Sequence, residues 1–223
     1  MKSGAAPVVL LHGFTCDPAA WTDWPGHWAP SLPFHGTDMA AAAATMDAMV
    51  AAVLDWLAQS VTEPAVVAGH SLGGMLALAV ALAQPERIQS LILVDAFPSL
   101  ALNARFLPEL FGPATTGAVR RRVTTMMRAG RERLGEDRQA QLWESLKEFD
   151  VSGRLGDLRV PVRAVYGGRG RYSSGESGRL KSDLGLDRIP HCELSVVAGA
   201  GHFVHWEVPG KLTKLLHEQI ANG

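Results

Sequence analysis

The chain has 223 residues, 47% of them hydrophobic, which is enough for one sizeable core and too few for two comfortable domains. Its 21 Lys and Arg stand against 22 Asp and Glu, so no net field points to nucleic acid or an anionic membrane surface, and a small-molecule substrate is the expected partner. The two cysteines, Cys16 and Cys192, match no C-x-x-C or zinc spacing, which argues against a disulfide framework or a metal site.

From the N-terminus, M-K-S-G-A-A-P leads straight into an apolar run without a signal-like stretch, and no 18-residue apolar run follows. A soluble, cytoplasmic protein with no membrane partner is expected. Short, nearly continuous apolar runs occur at 7–11, 64–68, 90–95, 161–166 and 193–198, separated by longer helical patterns. Such runs are what parallel strands buried on both faces look like. Between the first two, Met46, Met49, Val53 and Leu57 recur at helical spacing. After the second, L-G-G-M-L-A-L-A-V-A-L-A-Q is apolar on nearly all sides and stopped by Pro85, which predicts a buried helix. Residues 97–159 hold no convincing strand but carry two amphipathic stripes, Val119/Val123/Met126 and Leu142/Leu146/Phe149. A terminal helix over Lys211–Ile220 places Leu212, Leu215, Leu216 and Ile220 on one face. The expectation is an α/β fold: a mostly parallel, doubly wound sheet formed by 1–96 and 160–223, with 97–159 inserted as a small helical cap.

G-H-S-L-G at 69–73 satisfies G-x-S-x-G directly after a strand-like run and directly before a helix. The chemistry needs those glycines, because a sharp turn holds the serine in a strained conformation and leaves no room for flanking side chains. Ser71 is therefore the candidate nucleophile. A serine hydroxyl needs a base to take its proton. Of the eight histidines, His202 follows the run at 193–198 through a Gly-rich turn, which sets it at the same carboxyl edge of the sheet. His205, three residues on, is the alternative and is expected to line the pocket or pack beneath it.

Three segments, L-L-H-G-F (10–14), G-H-S-L-G-G (69–74) and G-A-G-H-F-V-H-W-E-V-P (199–209), together resemble the α/β-hydrolase superfamily over nearly the whole chain outside 97–159. The resemblance implies that His202 is the base and that the oxyanion hole is made by the backbone N–H groups of Leu72 and Phe14, with His12 orienting the loop rather than reacting. It implies no cofactor.

Two departures from that pattern stand out. The family's usual acid lies after the run at 161–166, where this chain has G-G-R-G with Gly170 in the carboxylate position. Asp95, ending the run at 90–95, is the substitute that keeps the order Ser, Asp, His; Glu176, in the glycine-rich loop at 167–178, is the runner-up. S-L-P-F-H-G (31–36) has Ser31 in place of the family's aspartate, and Trp21, Trp24 and Trp28 crowd the short span before it. Trp21, with Phe97 and Phe203, is a candidate for the substrate pocket, against core packing as the other reading. Arg120, Arg121, Arg122, Arg128, Arg131 and Arg133 in the cap either meet a substrate carboxylate or, interleaved with Glu132, Glu136 and Asp137, form a solvated face.

The expected activity is hydrolysis of a small ester or thioester through an acyl-enzyme, as a serine hydrolase. A same-fold lyase, carbon-carbon hydrolase or perhydrolase, or a non-catalytic binder on the same scaffold, are the alternatives.

Overall fold

The computed structural model describes residues 6–24, 28–36, 38–103, 117–168, 172 and 174–221. Five strands, β1 (Val8–Leu11), β2 (Ala65–His70), β3 (Ile88–Val94), β4 (Val162–Gly167) and β5 (Cys192–Val197), form one sheet in the order β1-β2-β3-β4-β5. Every neighbouring pair is parallel. Because side chains alternate along a strand, Val9, Leu11, Val67, Leu91 and Leu93 enter one apolar cluster, while Val8, Leu10, Val66, Ile92 and Val94 enter the other. Both faces are covered, which is why the strands read as continuous apolar runs. β2 reaches two residues further than its apolar run, since Gly69 and His70 still pair with Leu93 and Val94.

Helices α1 (Met46–Ser60) and α2 (Leu72–Ala83) cover the first face. The Thr45 hydroxyl caps α1 by accepting the Ala48 N–H, and Met49, Val53 and Leu57 are buried as their spacing predicts. α2 is buried along most of its length and ends at Ala83, two residues before Pro85 opens a short 3-10 turn. On the second face lie the Trp21–Trp24 pair and α7 (Pro209–Ala221), whose Leu212 is fully buried. The side chains of Leu215, Leu216 and Ile220 lie outside the described residues.

Between β3 and β4 come α3 (Gly117–Leu134) and α4 (Glu136–Glu148). Val119, Val123 and Met126 of α3 pack toward the second cluster, whereas Leu142 and Leu146 of α4 are buried in the first. α4 also supplies Ser145, whose Oγ accepts the Met46 N–H at 2.9 Å at the start of α1. α5 (Ser177–Asp183) and the single turn α6 (Val204–Glu207) complete the described helices.

The outer edge of β1 is not bare. Leu10 N–H donates to Trp28 C=O at 2.8 Å and Trp28 N–H donates to Val8 C=O at 3.0 Å, a short parallel extension that covers the ladder. No helix among the described residues is long and apolar enough to cross a membrane.

Candidate active site

Ser71 stands between β2 and α2 with φ 51° and ψ −116°, a conformation that a residue with a side chain adopts only under constraint. The constraint comes from glycines. A Cβ on Gly69 would lie 2.3 Å from the Gly73 carbonyl oxygen, and one on Gly73 would lie 2.2 Å from that of Leu11, so neither position admits a larger residue. α2 begins at Leu72 without a side-chain cap, so the first N–H groups and the positive end of the helix dipole adjoin the serine.

The second candidate donor lies in a turn closed by Cys16 N–H donating to Gly13 C=O at 3.1 Å, with Thr15 at φ 57°. A positive φ at this third turn position is the type II arrangement, whose own hydrogen bond leaves the N–H of the second residue, Phe14, unused. Two histidines hold the turn and its neighbours. His35 Nε2 accepts the Thr15 N–H at 3.2 Å, and His12 Nε2 accepts the Leu32 N–H at 3.1 Å. Their Nδ1–H groups therefore donate, His12 to Gly13 C=O at 3.0 Å and His35 to Pro33 C=O at 2.8 Å. An imidazolium has no lone pair to accept with, so both rings are neutral here. Burial is the main cause holding His12 down to about 3 and His35 to about 4.

Asp95 follows β3 at φ 48°, and its Oδ1 lies 3.5 Å from His202 Nδ1. The other oxygen, Oδ2, accepts the Gly167 N–H at 3.0 Å. The 3.5 Å separation is longer than a good N–H···O bond. His202 follows β5, so the turn that carries it must lean over the end of β4 to reach Asp95. Gly167 permits this: a Cβ there would lie 2.2 Å from the Gly201 carbonyl oxygen. Gly167 thus both clears the path and donates to the acid, a double part that no sequence motif announced. Glu176 ends a short 3-10 helix, with its carboxylate 3.4 Å from the exposed Arg179 guanidinium rather than beside His202. Gly170 lies outside the described residues.

Ser71 and His202 line one cavity of about 40 Å³, walled by Phe14, Phe97, Trp143 and Phe203 among others. Phe97 and Phe203, named from the sequence as pocket candidates, are thus among the residues lining this cavity. Trp21 is a correction: it is 2% exposed, packed on Trp24 at 5.1 Å and on His205 at 4.8 Å between ring centroids, and it does not line this cavity. Its nearness in sequence to the 13–16 turn does not become nearness to the serine, because the chain turns down the second face of the sheet. His205 is likewise buried beneath the site, and burial lowers it to about 3. Its ring and that of His202 flank His70, at 4.5 and 4.6 Å respectively, and His70 Nε2–H donates to His202 C=O at 3.1 Å. Cys16 also lines the cavity, with burial pushing its thiol up to about 12.

Two of the α3 arginines are paired with the segment after β1. Arg122 pairs with Asp23 at 2.8 Å and lies over the Trp206 ring, and Arg133 pairs with Asp17 at 2.9 Å, tying α3 to the segment after β1. Met127 of α3 and Trp143 and Leu146 of α4 reach the cavity. Of these, only Leu146 lay on a stripe noted in the sequence.

The profile of the alpha/beta hydrolase family matches residues 8–214. The chain belongs to this family. Among its relatives, lipase LipV of Mycobacterium tuberculosis is 36% identical over 114 residues, an alignment covering 48% of this chain and 43% of that protein. This α/β hydrolase is also 30% identical to a pimeloyl-[acyl-carrier protein] methyl ester esterase of Salmonella paratyphi A, covering 89% of this chain and 88% of the relative. Among solved structures, a thermophilic esterase superposes with a TM-score of 0.76 at 25% identity, covering 97% of this chain and 90% of the other. The relatives of this α/β hydrolase thus include esterases and lipases.

Proposed function

We propose that the protein is a serine hydrolase that cleaves a small ester or thioester through an acyl-enzyme, with Ser71, His202 and Asp95 as its triad and no cofactor. The observation that carries this reading is the 3.5 Å approach of Asp95 Oδ1 to His202 Nδ1, with the same histidine sharing a cavity with Ser71. The geometry supports the following steps. Asp95 keeps the Nδ1 proton on the imidazole, which leaves Nε2 to take the Ser71 proton as Oγ attacks the carbonyl carbon. Negative charge gathers on the carbonyl oxygen and is met by the N–H groups of Leu72 and Phe14. The imidazolium then protonates the departing alcohol or thiol, and a water activated by the same histidine releases the acid. Residues 97–159 act as the cap, bringing apolar walls over the serine. Both cysteines are buried and unpaired, which fits a reducing compartment, so the cytoplasm is the proposed place of action.

The test is labelling by a fluorophosphonate, read by mass spectrometry at the peptide containing Ser71, alongside hydrolysis of short-chain nitrophenyl esters and acyl thioesters. Labelling at Ser71 that is lost in Ser71→Ala, with turnover lost in parallel, supports the reading. Intact protein that takes no label and turns over no ester overturns it in favour of a binding role.

A further inference from the structure

Beside the narrow cavity lies a second, wider groove of about 510 Å³. The two share three walls, Phe14, Met127 and Trp143, so the groove continues the cavity past the oxyanion turn. Its far part differs in chemistry, being lined by Thr15, Gln139 and Arg131. Met127 and Arg131 are four residues apart on α3 and so share one face, with Arg131 one turn, about 6 Å, further along.

Arg131, which lines the groove, differs from Arg122, Arg133 and Arg138. Arg122 and Arg133 are held by Asp23 and Asp17, and Arg138 lies over the Phe34 ring at 5.4 Å. Arg131 forms no ion pair among the described residues, and no carboxylate among them lines the groove. Its backbone is nonetheless fixed. Gln139 Nε2 donates to the Arg131 carbonyl at 3.1 Å, and the adjacent Gly130 rests directly on the Thr15 carbonyl. An arginine on a backbone held against the 13–16 turn, at the polar end of an otherwise apolar channel, is complementary to a carboxylate carried by the remote end of a substrate.

Resting on the serine hydrolase reading above, we propose that the substrate is an ester or thioester carrying a carboxylate away from the reacting carbonyl, and that Arg131 binds that carboxylate in the groove. Apolar walls at Phe14, Met127 and Trp143 take the intervening carbons.

The experiment compares hydrolysis of the mono-4-nitrophenyl ester of adipate with that of 4-nitrophenyl hexanoate, which matches its acyl chain without the charge. A second pair, the hexanoyl ester of 5-hydroxypentanoate and pentyl hexanoate, carries the charge on the alcohol side. The expected result is a preference of about tenfold or more in kcat/KM, chiefly through KM, for the charged member of one pair. In Arg131→Gln that ratio falls to about one, and in Arg131→Glu it inverts. Binding of adipate monoamide to Ser71→Ala, measured by calorimetry, reads the groove without turnover and weakens in Ser71→Ala/Arg131→Gln. Equal rates within both pairs in the wild type, or a preference that survives Arg131→Gln, overturns the proposal. Loss of fluorophosphonate labelling with Arg131-dependent binding intact would instead bring down the serine hydrolase reading and leave the groove standing.

Discussion

Gly130 of α3 sits against the backbone of Thr15, so closely that a Cβ on it would come within 1.9 Å of the Thr15 carbonyl oxygen and 2.9 Å of its Cα. A helix from between β3 and β4 therefore bears on the turn that carries the Phe14 N–H. Thr15 is already at a positive φ and is tied by its own N–H to His35, so the turn has little freedom to yield. Gly130→Ala is expected to displace the turn and lower kcat by roughly tenfold to a hundredfold, short of or up to the loss of one oxyanion donor. KM should change much less. Steady-state kinetics decide it, together with the affinity of a boronic acid that mimics the tetrahedral state, which should fall in step with kcat; unchanged kcat in folded Gly130→Ala would show that the contact relaxes without reaching Phe14.

His202→Ala is expected to cut turnover by at least about a thousandfold while leaving the thermal midpoint close to wild type. His205→Ala should behave in the opposite way. It empties a fully enclosed site against Trp21, His70 and Trp206, so it lowers the midpoint while the folded enzyme keeps most of its activity. Calorimetric melts and single-turnover kinetics on the two variants separate these outcomes, and the reverse pattern would move the base to His205.

Asp95→Asn removes the charge beside His202 Nδ1 and favours the wrong imidazole tautomer, so turnover at neutral pH should drop by up to about ten-thousandfold. Glu176→Gln, whose carboxylate pairs with the exposed Arg179 rather than with His202, should be nearly silent. Wild-type rates in Asp95→Asn would remove it from the triad.

Acid should destabilise the protein from below pH 6.5 downward. His12, His35 and His205 have folded values of about 3, about 4 and about 3, and burial also holds His70 well below 6.5, the value to which all four return on unfolding. Between those limits the unfolded chain binds protons that the folded chain refuses, so stability is complete above 6.5 and is lost as pH falls through the window. Each histidine contributes up to about 1.4 kcal/mol per pH unit there. Urea midpoints measured from pH 7.5 to 5 should fall steeply, and a flat profile would mean that these rings accept protons in the folded state.

All five strands are legible in the sequence because a strand buried on both faces has no polar positions to disguise it. Their ends are less so: β3 begins at Ile88, before the expected start, because the turn at Pro85–Arg87 delivers the chain straight into pairing with Ala65. The turns that carry Ser71 and His202 are legible for a local reason, since each needs glycines within a few residues. Gly167, Gly130 and Trp143 are not, because what they touch is remote in sequence: the 199–202 turn, Thr15 and the cavity. Trp21 misled because aromatic side chains fill a core as readily as they wall a pocket, and only the path of the chain tells the two apart.

The strand order has a consequence for how such a protein can change. Ser71 and Asp95 directly follow β2 and β3, neighbouring strands about 4.8 Å apart, so the spacing of those two is set by the ladder, while His202 is returned toward them by the turn after β5. Of the residues joining β3 to β4, only the first, Asp95, is one of the three. On the proposed reading, the rest of that segment can be lengthened, shortened or exchanged as a cartridge, altering what is admitted to the serine while the reacting groups keep their ruler.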